Sequence, residues 1–237
     1  MEPHRHPRHE PKTIRCELIS WNRVHQLARR LALRVLDSGF CPDMIVSIGR
    51  GGNIPARILC DFLDIYALTS LRVEHYKKGI EQQPTARIAD PLCADLSGQR
   101  VLIVDDVSDT GDTYEVAIAH VRQFHPHEIK TASLHHKVVS HYKPDFYAQK
   151  VVKWRWLIYP WAVMEDLIGF VEKMEERPKS LEELGKRLEK DYKIRISRQV
   201  LEDVLRLIDN RQSNCCEVAS CRYRYKSPSE GSPTPTL

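Results

Sequence analysis

No uninterrupted apolar run in the 237-residue chain approaches the ~18–20 residues that span a bilayer, so no transmembrane segment is expected. The N-terminal MEPHRHPRHEPK has charge but no apolar segment behind it, which does not make a secretory signal. The seven cysteines are odd in number and form no C-x-x-C. Cys16, Cys41, Cys60 and Cys93 stand singly in apolar contexts, as small buried hydrophobes do, and predict a reducing, cytoplasmic compartment. Cys215, Cys216 and Cys221 cluster near the C-terminus at a spacing poor for a zinc site. Neither sign of charge dominates: 36 basic and 32 acidic side chains leave +4, a balance that does not by itself call for nucleic acid. Internal repeats, a collagen period and coiled-coil heptads are absent as well.

The 42% apolar and 29% charged residues are those of a globular protein, long enough for one generous domain plus a small appendage. Residues 1–12, rich in His, Arg and Pro, read as a disordered basic arm. Residues 212–237, ending KSPSEGSPTPTL, read as a low-complexity tail. Between them the pattern alternates. Val24, Leu27, Ala28, Leu31 and Val35 make a helical stripe between a cap at Ser20 and Gly39. MIVSIG (44–49), ALTSLRV (67–73), VLIVDD (101–106) and IKTASLHH (129–136) read as strands, PARILCDFLD (55–64) and Thr113 to Phe124 as helices. This alternation predicts an α/β fold with a mainly parallel sheet. The polar stretch from Arg72 to Gln99 reads as a functional lid or a flexible hairpin. After Pro178, the capping box SLEE (180–183) with Leu184 and Leu188, then Leu201, Val204, Leu205 and Ile208, predict a helical appendage over 178–211.

VLIVDDVSDTGDT (101–113) carries the chemistry. An apolar strand delivers Asp105 and Asp106 to its carboxyl end, where ligands of open α/β sheets bind. A turn with Asp109, Thr110, Gly111, Asp112 and Thr113 then opens a helix, so backbone N–H groups, hydroxyls and the helix N-terminus form a phosphate cradle. Asp105 and Asp106 would repel that phosphate and are better placed for sugar hydroxyls or a divalent cation. A second turn, Ser47-Ile48-Gly49-Arg50-Gly51-Gly52, follows the first core strand; alone it reads equally well as a tight turn.

The 101–113 segment resembles the 5-phosphoribosyl-1-pyrophosphate (PRPP) signature of type I phosphoribosyltransferases, and the resemblance extends over about residues 20–170, within a domain drawn at 13–177. It implies an open, twisted, mainly parallel sheet flanked by helices, with a small hood. It implies that Asp105 and Asp106 bind the ribose hydroxyls with Mg²⁺ nearby, and that Asp109 to Thr113 hold the 5′-phosphate. Arg50 and Gly51 fall in a segment similar to the family's pyrophosphate loop, and Tyr76, Lys77 and Lys78 where a mobile catalytic loop closes. The Pro160-Trp161 step resembles that of the xanthine-guanine branch, which makes Trp161 a stacking residue for the base; a plain core tryptophan is the alternative. Lys137 matches the 6-oxopurine branch's lysine, a donor to O6, and Asp109 its general acid/base at N7. Two departures bear on the base: His75-Tyr76 where a Ser-Tyr pair is common, and Pro-Trp-Ala where an acid often follows the Trp, with Glu165 and Asp166 close by. The implied function is Mg²⁺-dependent transfer from PRPP to guanine, xanthine or hypoxanthine in purine salvage, by a homodimer or larger oligomer. A different base, or a PRPP- or nucleotide-sensing regulator of the same fold, is the alternative.

Overall fold

The computed structural model describes residues 14–76 and 82–214. The expected basic arm, Lys77, Lys78 and the C-terminal cysteines lie outside the described residues, as does the side chain of Tyr76. In chain order the elements are β1 (Cys16–Leu18), α1 (Trp21–Asp37), β2 (Met44–Gly49), α2 (Asn53–Leu63), β3 (Leu68–Tyr76), β4 (Gln82–Asp90), β5 (Arg100–Ser108), α3 (Asp112–Arg122), β6 (Glu128–Lys137), β7 (Phe146–Val151), β8 (Trp156–Ile158), α4 (Val163–Glu172), α5 (Leu181–Tyr192) and α6 (Arg198–Asn214).

Local rules explain most of these. The Ser20 hydroxyl accepts from the Arg23 N–H and caps α1, whose apolar stripe is fully buried. α2 takes Pro55 within its first turn, where a missing N–H costs nothing. The strands form one six-stranded sheet in the order β4-β3-β2-β5-β6-β7, parallel except between β3 and β4. Alternating side chains split between the faces. Ile45, Leu102 and Leu134 pack with α1 and α2 through Leu27, Leu31 and Leu59. Val46, Ile48 and Ile103 pack on the other face with Tyr114, Ala117 and Val121 of α3. β2 and β5 are therefore neighbours whose following helices leave to opposite sides. That is a topological switch point, where crevices open in α/β sheets.

Of the two expectations for the polar stretch after Arg72, a lid or a flexible hairpin, its described residues form the two strands of a hairpin. It pairs as the antiparallel β3–β4 ladder, with register shifts at Arg72/Val73 and Glu74/Tyr76. Ion pairs of Arg72 with Glu74 and Asp90, and of Arg87 with Glu74, hold its base. β7 has no counterpart in the sequence reading: FYAQKV is short and half polar, and it forms because edge pairing to β6 buries Ala148 and Val151. β1 and β8 pair in parallel as a separate two-stranded sheet, the hood, in the register Cys16 opposite Trp156.

The chain divides into two compact units, one ending at Ile196 and one beginning at Ser197. The boundary expected at 178 falls inside the first unit, because α5 packs there. Leu184 and Leu188 are fully buried, Tyr192 stacks on Phe170 of α4 at 3.9 Å, and the Ile14 N–H donates to the Asp191 carbonyl. In the second unit, α6 carries Leu201, Val204, Leu205 and Ile208 at helical spacing. No helix among the described residues is long and apolar enough to cross a membrane.

Candidate active site

A cavity of about 720 Å³ opens over the carboxyl ends of β2, β5 and β6, under the hood. Three segments build its floor. The first is the end of β5. Asp105 and Asp106 lie in the cavity wall, and the Asp106 N–H donates to the Asp105 carboxylate at 2.8 Å. Burial pushes the Asp105 carboxyl well above its usual range, with Asp106 adding to the shift. Burial also pushes Asp106 up to about 6, although backbone N–H groups and the Trp161 indole donate to it. The second segment, the turn from Asp109 to Thr113, runs into α3. Gly111 has a φ of +114°, and a Cβ there would lie 2.7 Å from Tyr142, so both conformation and space require glycine. Thr110 donates to Asp112 at 2.6 Å, and its carbonyl accepts from the His141 N–H.

The third segment joins β2 to α2, and its Gly49–Arg50 peptide is cis. A Cβ on Gly51 would come within 2.3 Å of the Asp106 carboxylate, and one on Gly52 within 2.3 Å of the Val104 carbonyl. This turn therefore lies directly on the end of β5. The Arg50 guanidinium, largely exposed, reaches Glu165 of α4 at 2.6 and 2.7 Å.

One wall belongs to Lys137, the last residue of β6 and only 1% exposed. Its ammonium donates to Asp109 at 2.7 Å and sits 4.7 Å from the Trp154 ring and 5.6 Å from the Trp156 ring. Burial lowers the Lys137 pKa while Asp109 opposes that shift. The Trp154 indole donates to the other Asp109 oxygen at 3.3 Å. Asp109 is thus held from two sides.

The hood is tied to the sheet by Tyr159. Its hydroxyl donates to the Asp106 carbonyl at 3.0 Å and meets His135 Nδ1 at 2.7 Å. Burial pushes His135 down to about 4, so the imidazole is neutral at pH 7 and its Nδ1–H donates to Tyr159. Trp161 lines the cavity but is engaged in the hood: Tyr159 stacks on it at 4.8 Å and Trp21 lies 5.9 Å away. Trp156 lines the cavity beside Lys137.

The structure thus brings together Arg50, Gly51, Asp105, Asp106, Asp109, Thr110, Gly111, Thr113, Lys137 and Trp161 around one cavity. Asp112 stands beside them at the start of α3. Sequence reasoning missed Trp154, Trp156 and Arg72. Their signal was there for the two tryptophans, in the alternation of WRW, but which ring faces inward depends on the β1–β8 register. Asp105 and Asp106 form a crowded pair of hard oxygen donors whose burial and mutual repulsion a divalent cation would relieve, so they suit Mg²⁺. Asp112, Glu115 and His141 also bring ligand atoms within 4.8 Å of one another, on the exposed rim.

A mainly parallel sheet whose switch-point cavity is lined by an acidic strand end, a glycine turn and a helix N-terminus is the arrangement of an α/β protein that binds its ligand at the carboxyl ends of the strands. Residues 17–165 match the family model described as the phosphoribosyl transferase domain, and the chain belongs to that family. It is 34% identical to a xanthine-guanine phosphoribosyltransferase of Cereibacter sphaeroides, over 60% of this chain and 84% of that one. It is 29% identical to the hypoxanthine-guanine phosphoribosyltransferase of Saccharomyces cerevisiae, over 61% and 85%. The crystal structure of a purine phosphoribosyltransferase from Pyrococcus horikoshii superposes with a TM-score of 0.54 at 37% identity, covering 62% of this chain and 93% of that one. A Neisseria gonorrhoeae protein with bound ppGpp superposes at 0.53 with 28% identity, covering 62% and 89%.

Proposed function

We propose that this phosphoribosyltransferase moves the 5-phosphoribosyl group of PRPP onto a 6-oxopurine (guanine, xanthine or hypoxanthine), giving the nucleoside monophosphate and pyrophosphate, a purine-salvage reaction. The observation that carries the acceptor class is the buried Lys137–Asp109 pair. A 6-oxopurine presents the O6 acceptor beside an N7 that carries or sheds a proton. An ammonium that only donates and a carboxylate that accepts are complementary to that edge. Adenine presents an N6 donor to the same ammonium, and pyrimidines have no N7. The xanthine-guanine and hypoxanthine-guanine names of the relatives support the same class.

The remaining roles follow from position. The 109–113 turn and the α3 N-terminus hold the 5′-phosphate. Asp105 and Asp106 hold the ribose hydroxyls and, with the diphosphate, Mg²⁺. When bound, that ion neutralises charge developing on the leaving diphosphate. Arg50 and the N–H groups of its turn take the diphosphate. The bond from C1′ to the diphosphate oxygen breaks as the bond from C1′ to the base nitrogen forms, and Asp109 receives the proton the base loses at N7. Trp156, beside Lys137 and open to the cavity, is the platform for the base, a role that Trp161, already stacked, does not need to fill. Tyr76 and Lys77 are assigned, as the resemblance implies, to the segment that closes over PRPP.

The test is pyrophosphate release from PRPP and Mg²⁺ with each base in turn. Release with guanine, xanthine or hypoxanthine and none with adenine or uracil is expected. A second reading, nucleotide sensing without turnover, draws on the ppGpp-bound Neisseria protein. It predicts nucleotide binding with no release on any base.

A further inference from the structure

Glu165, in the first turn of α4, is the third residue of that helix, the position from which the acid of a capping box reaches back to the residue before the helix. No box forms here. Ala162 makes no side-chain cap, and its N–H donates to the Tyr159 carbonyl instead. The Glu165 carboxylate turns to another element altogether. Nη2 of Arg50, in the turn after β2, donates to both of its oxygens, at 2.6 and 2.7 Å. Both residues line the cavity. The two ends of this bridge differ in freedom. Arg50 stands on an irregular turn with its side chain 74% exposed. Glu165 is 34% exposed, on a helix anchored by the buried Leu167, Ile168 and Phe170. The glutamate is therefore the fixed end, and the arginine is the end that is held. An exposed arginine loses rotamer freedom when it grips an anion, and a contact made before the anion arrives removes part of that loss. The contact uses Nη2 alone; among the described residues no acceptor meets Nε or Nη1, whose N–H groups stay available to a ligand in the cavity. A carboxylate would repel a diphosphate, so Glu165 can help bind one only through Arg50.

We propose that Glu165 is a positioning residue for the diphosphate subsite, holding the Arg50 guanidinium at the cavity before PRPP arrives. This rests on the reading of Arg50 as the diphosphate's arginine given above, and not on which base is the acceptor. The effect of Glu165 is confined to the diphosphate end of PRPP, since its one partner is Arg50 and the sugar 5′-phosphate is assigned to the turn before α3.

Calorimetric titration of the full chain in Mg²⁺ tests it, with PRPP and with ribose 5-phosphate, which has no diphosphate. Glu165→Ala is expected to weaken PRPP binding about fivefold, the upper worth of an exposed ion pair, and to leave ribose 5-phosphate binding unchanged. A general disturbance of the fold would weaken both. Glu165→Gln keeps an oxygen for Nη2 and is expected to stay within about twofold of the parent. Arg50→Ala is expected to weaken PRPP by more than Glu165→Ala does. With no guanidinium left to hold, adding Glu165→Ala to it should change PRPP affinity no further. Should the Ala variant at 165 fail to fold, the Gln variant, alone and in the Arg50→Ala background, carries the test. Equal losses for PRPP and ribose 5-phosphate, a Gln variant as poor as Ala, or a full Glu165 effect without Arg50 would overturn the proposal. So would tighter PRPP binding in either variant, which would make Glu165 a competitor for Arg50. All four leave Arg50 its diphosphate role. PRPP affinity unchanged in Arg50→Ala overturns that role, and this proposal with it.

Discussion

Lys137 and Asp109 illustrate how two residues with ordinary chemistry acquire a role from placement. Both charges are nearly withdrawn from water, 2% and 12% exposed, and each is the other's compensation. Removing one partner of such a pair leaves a buried charge and costs about 3–5 kcal/mol. Lys137→Met is therefore expected to lower unfolding free energy by that amount in urea denaturation, and to raise the KM for a 6-oxopurine. Asp109→Asn keeps the size and hydrogen-bonding capacity but cannot take a proton. Turnover should fall about 10²–10⁴-fold while the PRPP KM barely moves. Equal turnover in mutant and parent would remove Asp109 from the proton transfer. Asp166 allows a stability prediction with a definite sign. Burial first, then Glu165 and Asp106, push its carboxyl up to about 7 from 3.8. The folded state thus holds this proton more tightly than the unfolded state, and stability falls as pH rises from about 4 to about 7, then levels. Asp166→Asn should flatten that part of the Tm–pH curve; an unchanged slope would show that Asp166 is not its source.

At the scale of elements, the site depends on two turns meeting at the ends of neighbouring strands. The turn after β2 can lie on β5 only because Gly51 and Gly52 have no side chains. Gly51→Ala would drive a methyl group into Asp106. The carboxylate must then rotate away from the ribose side, and PRPP binding should weaken at least tenfold, read by calorimetric titration with Mg²⁺·PRPP. Retained affinity would mean that Asp106 is not a ribose ligand. Much of this was readable in the chain. VLIVDD is apolar on both faces because β5 lies between α2 and α3, and the acids mark where the strand leaves the core. Elements whose identity depends on a distant partner were hidden. β7 is polar enough to pass for loop until β6 pairs with it. β8 exists only through β1, and that pairing turns Trp156 toward the cavity. The SLEE box was legible in kind but not in detail: Ser180 accepts from the Glu183 N–H, yet Glu183 takes the N–H of Lys179 rather than that of Ser180.

At the scale of the whole molecule, a near-neutral chain lines its cavity with charges of both signs. Arg50 and Lys137 stand on the cavity wall with Asp105, Asp106 and Asp109 among them. The sheet supplies the geometry, since the β2–β5 switch point brings together the two turns proposed to hold phosphate, and β6 places Lys137 one strand over. The hood carries the proposed base platform, and Tyr159 and His135 lock it to the sheet. Loss of that lock in Tyr159→Phe leaves the His135 Nδ1–H and the Asp106 carbonyl unpaired, at a cost of about 1–3 kcal/mol. The thermal midpoint should drop accordingly, and the base KM should rise more than the PRPP KM. The account as a whole stands on the pairing of Lys137 and Asp109 with the O6–N7 edge of the acceptor. Incubation of the protein with PRPP, Mg²⁺ and equal amounts of guanine and adenine, with the nucleotides separated by chromatography, tests it most directly. Guanosine monophosphate should accumulate in step with pyrophosphate while adenosine monophosphate stays absent; adenosine monophosphate as the main product, or no nucleotide at all, would contradict it.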